Sequence, residues 1–298
     1  MERKIDLHIH TSFSDGKFSP KEIIDMAKKN NVFTISIADH DTIDAYDKKL
    51  FNYAAENGIK LISGVEISTK INKCGIHVLG YNFDIDNDEL KNRLFLLRNA
   101  RHKYLHDVAL KLKEAGYIVN VDKLDTIDAV TKAHIARDVI SNKENYKKLE
   151  EDFNEVPSMG NFIETIMNEN CPCYVKKESI TPKEATNLIR QAGGKVVLAH
   201  PVAYQNEDGL TDKEILSLVN DMKPDGIESN YIYINRSNEK IDDTAKWNEF
   251  ARQNNLFTTV GSDFHNIDEI RPNIGLINDI KLSEEEINII INNILKKD

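Results

Sequence analysis

The stretch KIDLHIHTSFSDG, residues 4–16, places Asp6, His8, His10 and Asp15 within ten positions of one another. Side chains two residues apart on a strand point the same way, so Asp6, His8 and His10 share one face while Ile5, Leu7 and Ile9 occupy the other. An apolar face is buried, and the polar face looks into something. Two imidazoles aimed at one volume, with Asp15 returning after the turn-like Ser14-Asp15-Gly16, suit a metal ion. From this stretch alone, an exposed edge strand with incidental histidines is the competing reading.

Working outward, strand-like runs recur at 32–38, 59–68, 75–83, 195–200, 225–230, 256–262 and 273–278. Helical stretches separate most of them. Ser19 followed by Pro20, and Thr181 followed by Pro182, are N-cap and first-turn devices. Further helices fit 44–57, 211–222, 240–254 and 283–296. This alternation implies an α/β fold with a mostly parallel sheet, open or closed into a barrel. The rhythm breaks at 84–176, where DELKNRLFLLRNARHKYLHDVALKLKEAG reads as one long helix or two and the remainder is short, polar and helical. That segment is expected to be a mainly helical insertion or lid, with 1–83 and 177–298 as the main domain.

The chain has 298 residues, 40% hydrophobic and 30% charged, an ordinary globular composition that permits a sizeable core. No apolar run reaches a membrane span, and MERKIDLHIH carries no signal-peptide core, so a cytoplasmic protein is expected. Cys74, Cys171 and Cys173 make an odd number and are expected as reduced thiols. The pair in CPC, 171–173, reads as structural in the absence of a second cysteine pair. A net charge of −10 argues against a broad basic surface for duplex nucleic acid, though not against a phosphate substrate held by cations.

The unusual polar residues fall at the C-terminal ends of the expected strands: His8 and His10, then His40 in ADHD, Glu66 in GVEIS, His200 in LAHP, and Asp263 with His265 in GSDFH. In parallel α/β folds that rim is where active sites are built. His77 in GIHVLG is the exception, lying mid-run. Asp263 and His265 repeat the spacing of His8 and His10, so both pairs can face one cavity. Mixed imidazole and carboxylate ligands suit Zn, Mn or Fe better than Ca or Mg.

DLHIHTSFSDG, IADHDTI, GVEIS, LAHP and GSDFH, in this order across nearly the whole chain, resemble the motifs of the PHP (polymerase and histidinol phosphatase) metallophosphoesterases. Asp15-Gly16 with a long helical insertion is similar to the subgroup that includes nucleoside 3',5'-bisphosphate phosphatases and 5'-to-3' exonucleases on short RNA or DNA. The resemblance implies a distorted (β/α)7 barrel with up to three divalent ions. Carried over by position, it assigns His8, His10, Glu66 and Asp263 to one ion, Glu66, His77 and His200 to a second, and Asp15, His40 and His265 to a third. Catalysis is then expected from a hydroxide held at ions bound by His8, His10, Asp15, His40, Glu66 and Asp263, formed because coordination lowers the pKa of water to about 7. Three such ions outweigh the carboxylates of Asp15, Glu66 and Asp263, leaving a cationic pocket for a small phosphorylated substrate, a nucleotide or short oligonucleotide.

In the insertion, TKAHIARDVI matches a family pattern that reads Arg-Pro-His-Ile-Ala. His134 is expected to bind substrate phosphate. Lys132 stands where an arginine is expected and replaces a bidentate fork with a point charge; for Lys132 and Arg137 a solvated helix face is the equal alternative. His102 and His106, one turn apart, are a zinc-capable pair only if a third ligand lies near; otherwise they belong to an exposed charged helix. Asp6, Asp39 and Asp41 are candidates for orienting ligand histidines, with capping or turn roles open for Asp41. Glu228 and Tyr231 are expected to line the pocket, and Trp247 with Phe250 to pack. Two other functions fit the motifs: histidinol-phosphate phosphatase, and a non-catalytic PHP-like binding module.

Overall fold

The computed structural model describes residues 4–72, 74–127, 130–176, 178–235, 238–277 and 282–296. It divides into two compact units, Met1–Leu94 with Ile180–Asp298, and Phe95–Ser179. The first break falls at 94/95, not 83/84, because one continuous helix, Asp88–Glu114, begins inside the first unit. Its opening turns bury Leu90 and Leu94 there. The second break falls at 179/180, where Ile180 bridges back to Thr69 and accepts a hydrogen bond from the Lys70 N–H.

The strands are β1 (Lys4–Ile9), β2 (Val32–Ile37), β3 (Lys60–Ile71), β4 (Cys74–Tyr81), β5 (Lys195–Leu198), β6 (Gly226–Asn230), the two-residue pair β7 (Tyr233–Ile234) and β8 (Lys240–Ile241), and β9 (Phe257–Val260). Seven form one sheet in the order β1-β2-β3-β4-β5-β6-β9. Neighbours pair in parallel except at β3–β4 and β4–β5. Six strands therefore run one way and β4 alone runs against them. Beyond the end of β9, Phe264 forms a parallel bridge to Ile9 of β1.

Helices start where the sequence places their caps. Ser19 and Thr181 each close a capping box, with Glu22 and Glu184, ahead of Pro20 and Pro182. The run 240–254 becomes a helix only from Thr244, since Lys240 and Ile241 pair with β7. The strand expected at 273–278 is absent over 273–277, and residue 278 lies outside the described residues. Side chains take the backbone groups there that a ladder would need. Asp6 accepts from the Gly275 N–H, and Asn30 donates to the Ile274 carbonyl.

The core of the first unit joins Ile5 and Leu7 of β1, Leu79 and Tyr81 of β4, and Val197 of β5 to Ile287, Ile290 and Ile294 of the C-terminal helix Glu284–Leu295. The second unit is helical and has its own apolar core, including Leu105, Val108, Leu112, Leu124, Phe162 and Cys173. Cys173 packs inside and donates to the Lys111 carbonyl, and Cys171 to that of Glu164, so CPC serves structure. Trp247 is buried edge-on against Phe250. No helix among the described residues is long and apolar enough to cross a membrane.

Candidate metal centre

Glu66 is the hub of the first unit. It is 1% exposed, yet five imidazoles crowd its two oxygens: His8 and His10 at 3.3 Å, His40 at 3.0 Å, His77 at 2.8 Å and His200 at 3.1 Å. His10 Nε2 also lies 3.0 Å, and His8 Nε2 3.6 Å, from Asp263 Oδ1. Asp15 meets the remaining ring, His265, at 3.2 Å, and also His10 at 3.5 Å and His40 at 3.6 Å. All nine residues expected as ligands thus converge on one cavity end. Lys132, His134 and Arg137 lie in the second unit, on the helix Lys132–Ser141.

Strand geometry explains the convergence. The ADHD backbone is zipped to β3: Asp41 N–H donates to the Glu66 carbonyl and Glu66 N–H to that of Asp39. β1 is joined to the GSDFH segment by His10 N–H to Phe264 O and Phe264 N–H to His8 O. Phe264 turns inward against Phe18, which leaves Asp263 and His265 on the cavity side, as their spacing requires. His77 reaches the same rim from the middle of its run because β4 is reversed, so its earlier residues lie level with the C-terminal ends of its neighbours.

Two of the expected ligands have left-handed backbone. His200 has φ +20° and Asp263 +52°, conformations that side chains adopt at a cost and that cluster at functional sites. Gly261 has a steric reason: a Cβ there would lie 2.2 Å from His8 Cβ and 2.3 Å from a Glu228 oxygen.

Glu228 does more than line the pocket. Fully buried, it holds His8 Nδ1 at 3.0 Å and accepts from the His200 N–H, orienting one ring and the strained turn together. Asp6 and Asp39, expected to orient histidines, hold rim loops instead. Asp6 accepts from the N–H and hydroxyl of Ser262, and Asp39 from the N–H and hydroxyl of Thr11 and from Ser14. Asp41 accepts from the Ser68 N–H. Tyr231 donates to Asp263 Oδ2 at 3.2 Å. Tyr204 was not legible as a site residue: it bonds the His77 backbone and, with Glu207 and Asp208, helps line a cavity of about 360 Å³ that includes His40, Glu66, His200 and His265. In sequence, the signal for Glu228 is a carboxylate toward the C-terminal end of the strand run DGIESN.

The electrostatics demand positive charge. Burial opposes ionisation of Glu66 and Asp263, yet the surrounding imidazoles hold both carboxyls well below the usual range. Burial also opposes protonation of His10, but the carboxylates of Asp263, Glu66 and Asp15 outweigh it and push the ring up to about 10. His77 is lowered by burial.

The donor set fits divalent metal. Nε2 of His8 and His10, Nδ1 of His40 and His77, and Oε2 of Glu66 are buried without a hydrogen-bond partner. An unsatisfied buried polar group costs about 1–3 kcal/mol, and these converge where a cation would satisfy them together. Three groups bring one ligand atom per residue within 4.8 Å of the rest: His8, His10 and Glu66; His10, Asp15, His40 and His265; and His40, Glu66 and His77.

A profile of the PHP domain matches residues 6–164. The chain is 32% identical to a 5'-3' exoribonuclease of Haemophilus influenzae over 270 residues, 89% of this chain and 91% of that one. It is 26% identical to a 3',5'-nucleoside bisphosphate phosphatase of Chromobacterium violaceum, over 93% and 92% of the two chains. Two solved structures share the fold at TM-score 0.72. One is an amidohydrolase from Chromobacterium violaceum with bound sulfate and no metal, at 24% identity over 98% of each chain. The other is from Bifidobacterium adolescentis, at 20% identity over 99% of this chain and 97% of that one.

Proposed function

The chain belongs to the PHP domain family, and on that footing we propose that it is a metal-dependent phosphoesterase acting on nucleoside 3',5'-bisphosphates or on the 5' ends of short oligonucleotides. The observation that carries this reading is Glu66, a buried carboxylate with five imidazoles within 3.3 Å and polar atoms that lack partners.

His8, His10, Glu66 and Asp263 hold one ion, Glu66, His77 and His200 a second, and Asp15, His40 and His265 a third, with Mn, Zn or Fe suited to the donors. Two of the three ligand-atom groups support the first and third sets. The remaining group has His40 where this assignment has His200, whose Nε2 lies 3.1 Å from Glu66. Bound divalent ions supply Lewis acidity, which offsets phosphate charge and acidifies water. The chain itself fixes the geometry: Glu228 orients His8, and Tyr231 steadies Asp263. Asp15 and His265, about a quarter exposed, are among the more accessible of the expected ligands.

The sheet is read as a distorted (β/α)7 barrel, supported by the Ile9–Phe264 bridge between its first strand and the extension of its last. The helical unit is read as the insertion domain. His134 there serves as a phosphate contact with Lys132 and Arg137; Lys132 now donates to Asn168, and His134 closes a capping box with Thr131. Net charge −10 and the concave site favour a small substrate over extended duplex.

The test is phosphate release from a nucleoside 3',5'-bisphosphate and nucleotide release from a 5'-phosphorylated short RNA, assayed side by side with Mn for wild type and His10→Ala. Metal-dependent turnover of either substrate, lost in the variant, is expected. Silence on both with metal bound would refute the substrate class.

A further inference from the structure

The helix Asp88–Glu114 carries His102 and His106 one turn apart, a pair that lacks only a third ligand in the sequence. The structure provides one. Asp125, C-cap of the short helix Val121–Leu124, places Oδ1 2.8 Å from His102 Nδ1 and Oδ2 3.3 Å from His106 Nε2. All three residues belong to the second unit, whose own core bears no part of the centre around Glu66.

We infer that His102, His106 and Asp125 form a separate zinc site that ties the long helix to the helix Val121–Leu124.

Two imidazoles and a carboxylate are a zinc donor set, with water completing the tetrahedron. Each ring now meets its own carboxylate oxygen, and the three ligand atoms do not all fall within 4.8 Å of one another, so binding one ion requires the rings to turn toward it. The side chains are 28%, 53% and 40% exposed, which leaves space for water and lets the rings turn toward one ion. Two neighbouring lysines are engaged elsewhere: Lys103 pairs with Asp107 at 2.7 Å and Lys123 with Asp138 at 3.6 Å. Leu105 and Leu124, each adjacent in sequence to a ligand, are buried in the same apolar cluster, so the ion would clamp two elements that already pack together. Binding to the folded state alone raises its stability with free zinc concentration.

The experiment uses the full chain in a Glu66→Gln background, which weakens the main centre, and compares it with the same chain carrying His102→Asn and His106→Asn. Zinc retained after desalting is counted, melting is followed with and without zinc, and Co(II) absorption is recorded. The expected result is one fewer ion per chain in the histidine variant, loss of the tetrahedral cobalt band and loss of the zinc-dependent rise in melting temperature. Asp125→Asn, which leaves both histidines, is expected to weaken zinc binding tenfold or more. In an otherwise wild-type chain, the paired histidine substitution is expected to leave phosphoesterase turnover unchanged. Equal ion counts and equal zinc-dependent melting in all chains would overturn the site and leave the three residues as an ion-paired surface cluster.

Discussion

The two units bury opposite kinds of interior. In the second, Leu105, Val108, Leu112, Leu124 and Phe162 satisfy one another and need nothing from outside. In the first, an apolar core stands beside a buried cluster in which His8 Nε2, His10 Nε2 and Glu66 Oε2 lack hydrogen-bond partners. An apolar core is complete once packed, whereas a buried polar cluster is complete only when something enters it. The contrast separates a stability that the chain provides alone from one linked to metal and pH.

Glu66→Gln strikes the contrast hardest. It keeps the volume and removes the charge on which five rings converge, so turnover should fall about 10³-fold, the upper scale for losing one charge-stabilising group, while melting of the second unit stays unchanged. Steady-state kinetics beside a melting curve read both. The converse substitution, Leu105→Ala, should destabilise the second unit by about 3 kcal/mol through lost burial and a cavity. Denaturant unfolding should show that loss, with metal content of the first unit preserved. A metal loss in Leu105→Ala would dissolve the distinction between the units.

Glu228→Gln sharpens the comparison within the first unit. It leaves every expected ligand in place and removes the charge that orients His8, so metal affinity or activity should drop about 10–100-fold. The remaining effect is the pH slope of the metal-free protein. His10 is pushed up from an ordinary 6.5 to about 10, so its protonated form contributes stability that is complete below the first value and lost as pH rises through the second. Metal-free protein should therefore weaken across that window, and His10→Gln should remove this part of the slope.

Much of this contrast was legible in the residues. The His8/His10 and Asp263/His265 spacings, the caps at Ser19 and Thr181 and the loss of strand rhythm after residue 83 are local patterns, and local patterns survive in sequence. What escaped depends on partners distant in the chain. His77 looked misplaced because strand direction is set by pairing, and only the reversal of β4 sets it opposite Ser68, within reach of the Glu66 carboxylate. Glu228 read as pocket lining because its task is fixed by His8, 220 residues earlier. The expected strand at 273–278 failed for the same reason, since Asp6 and Asn30 take its backbone groups. Asp125 gave no sign of meeting His102 and His106, because a turn between helices carries no record of which face it returns to.

The central claim is that the cluster around Glu66 is built for cations, and the most direct measurement is calorimetric titration of stripped, folded protein with Mn²⁺ in buffers of different ionisation enthalpy. Ligation requires neutral imidazole, so the account predicts that binding releases protons, tightens as pH rises and is lost or greatly weakened in Glu66→Gln. Binding without proton release, or equal affinity in Glu66→Gln, would contradict it.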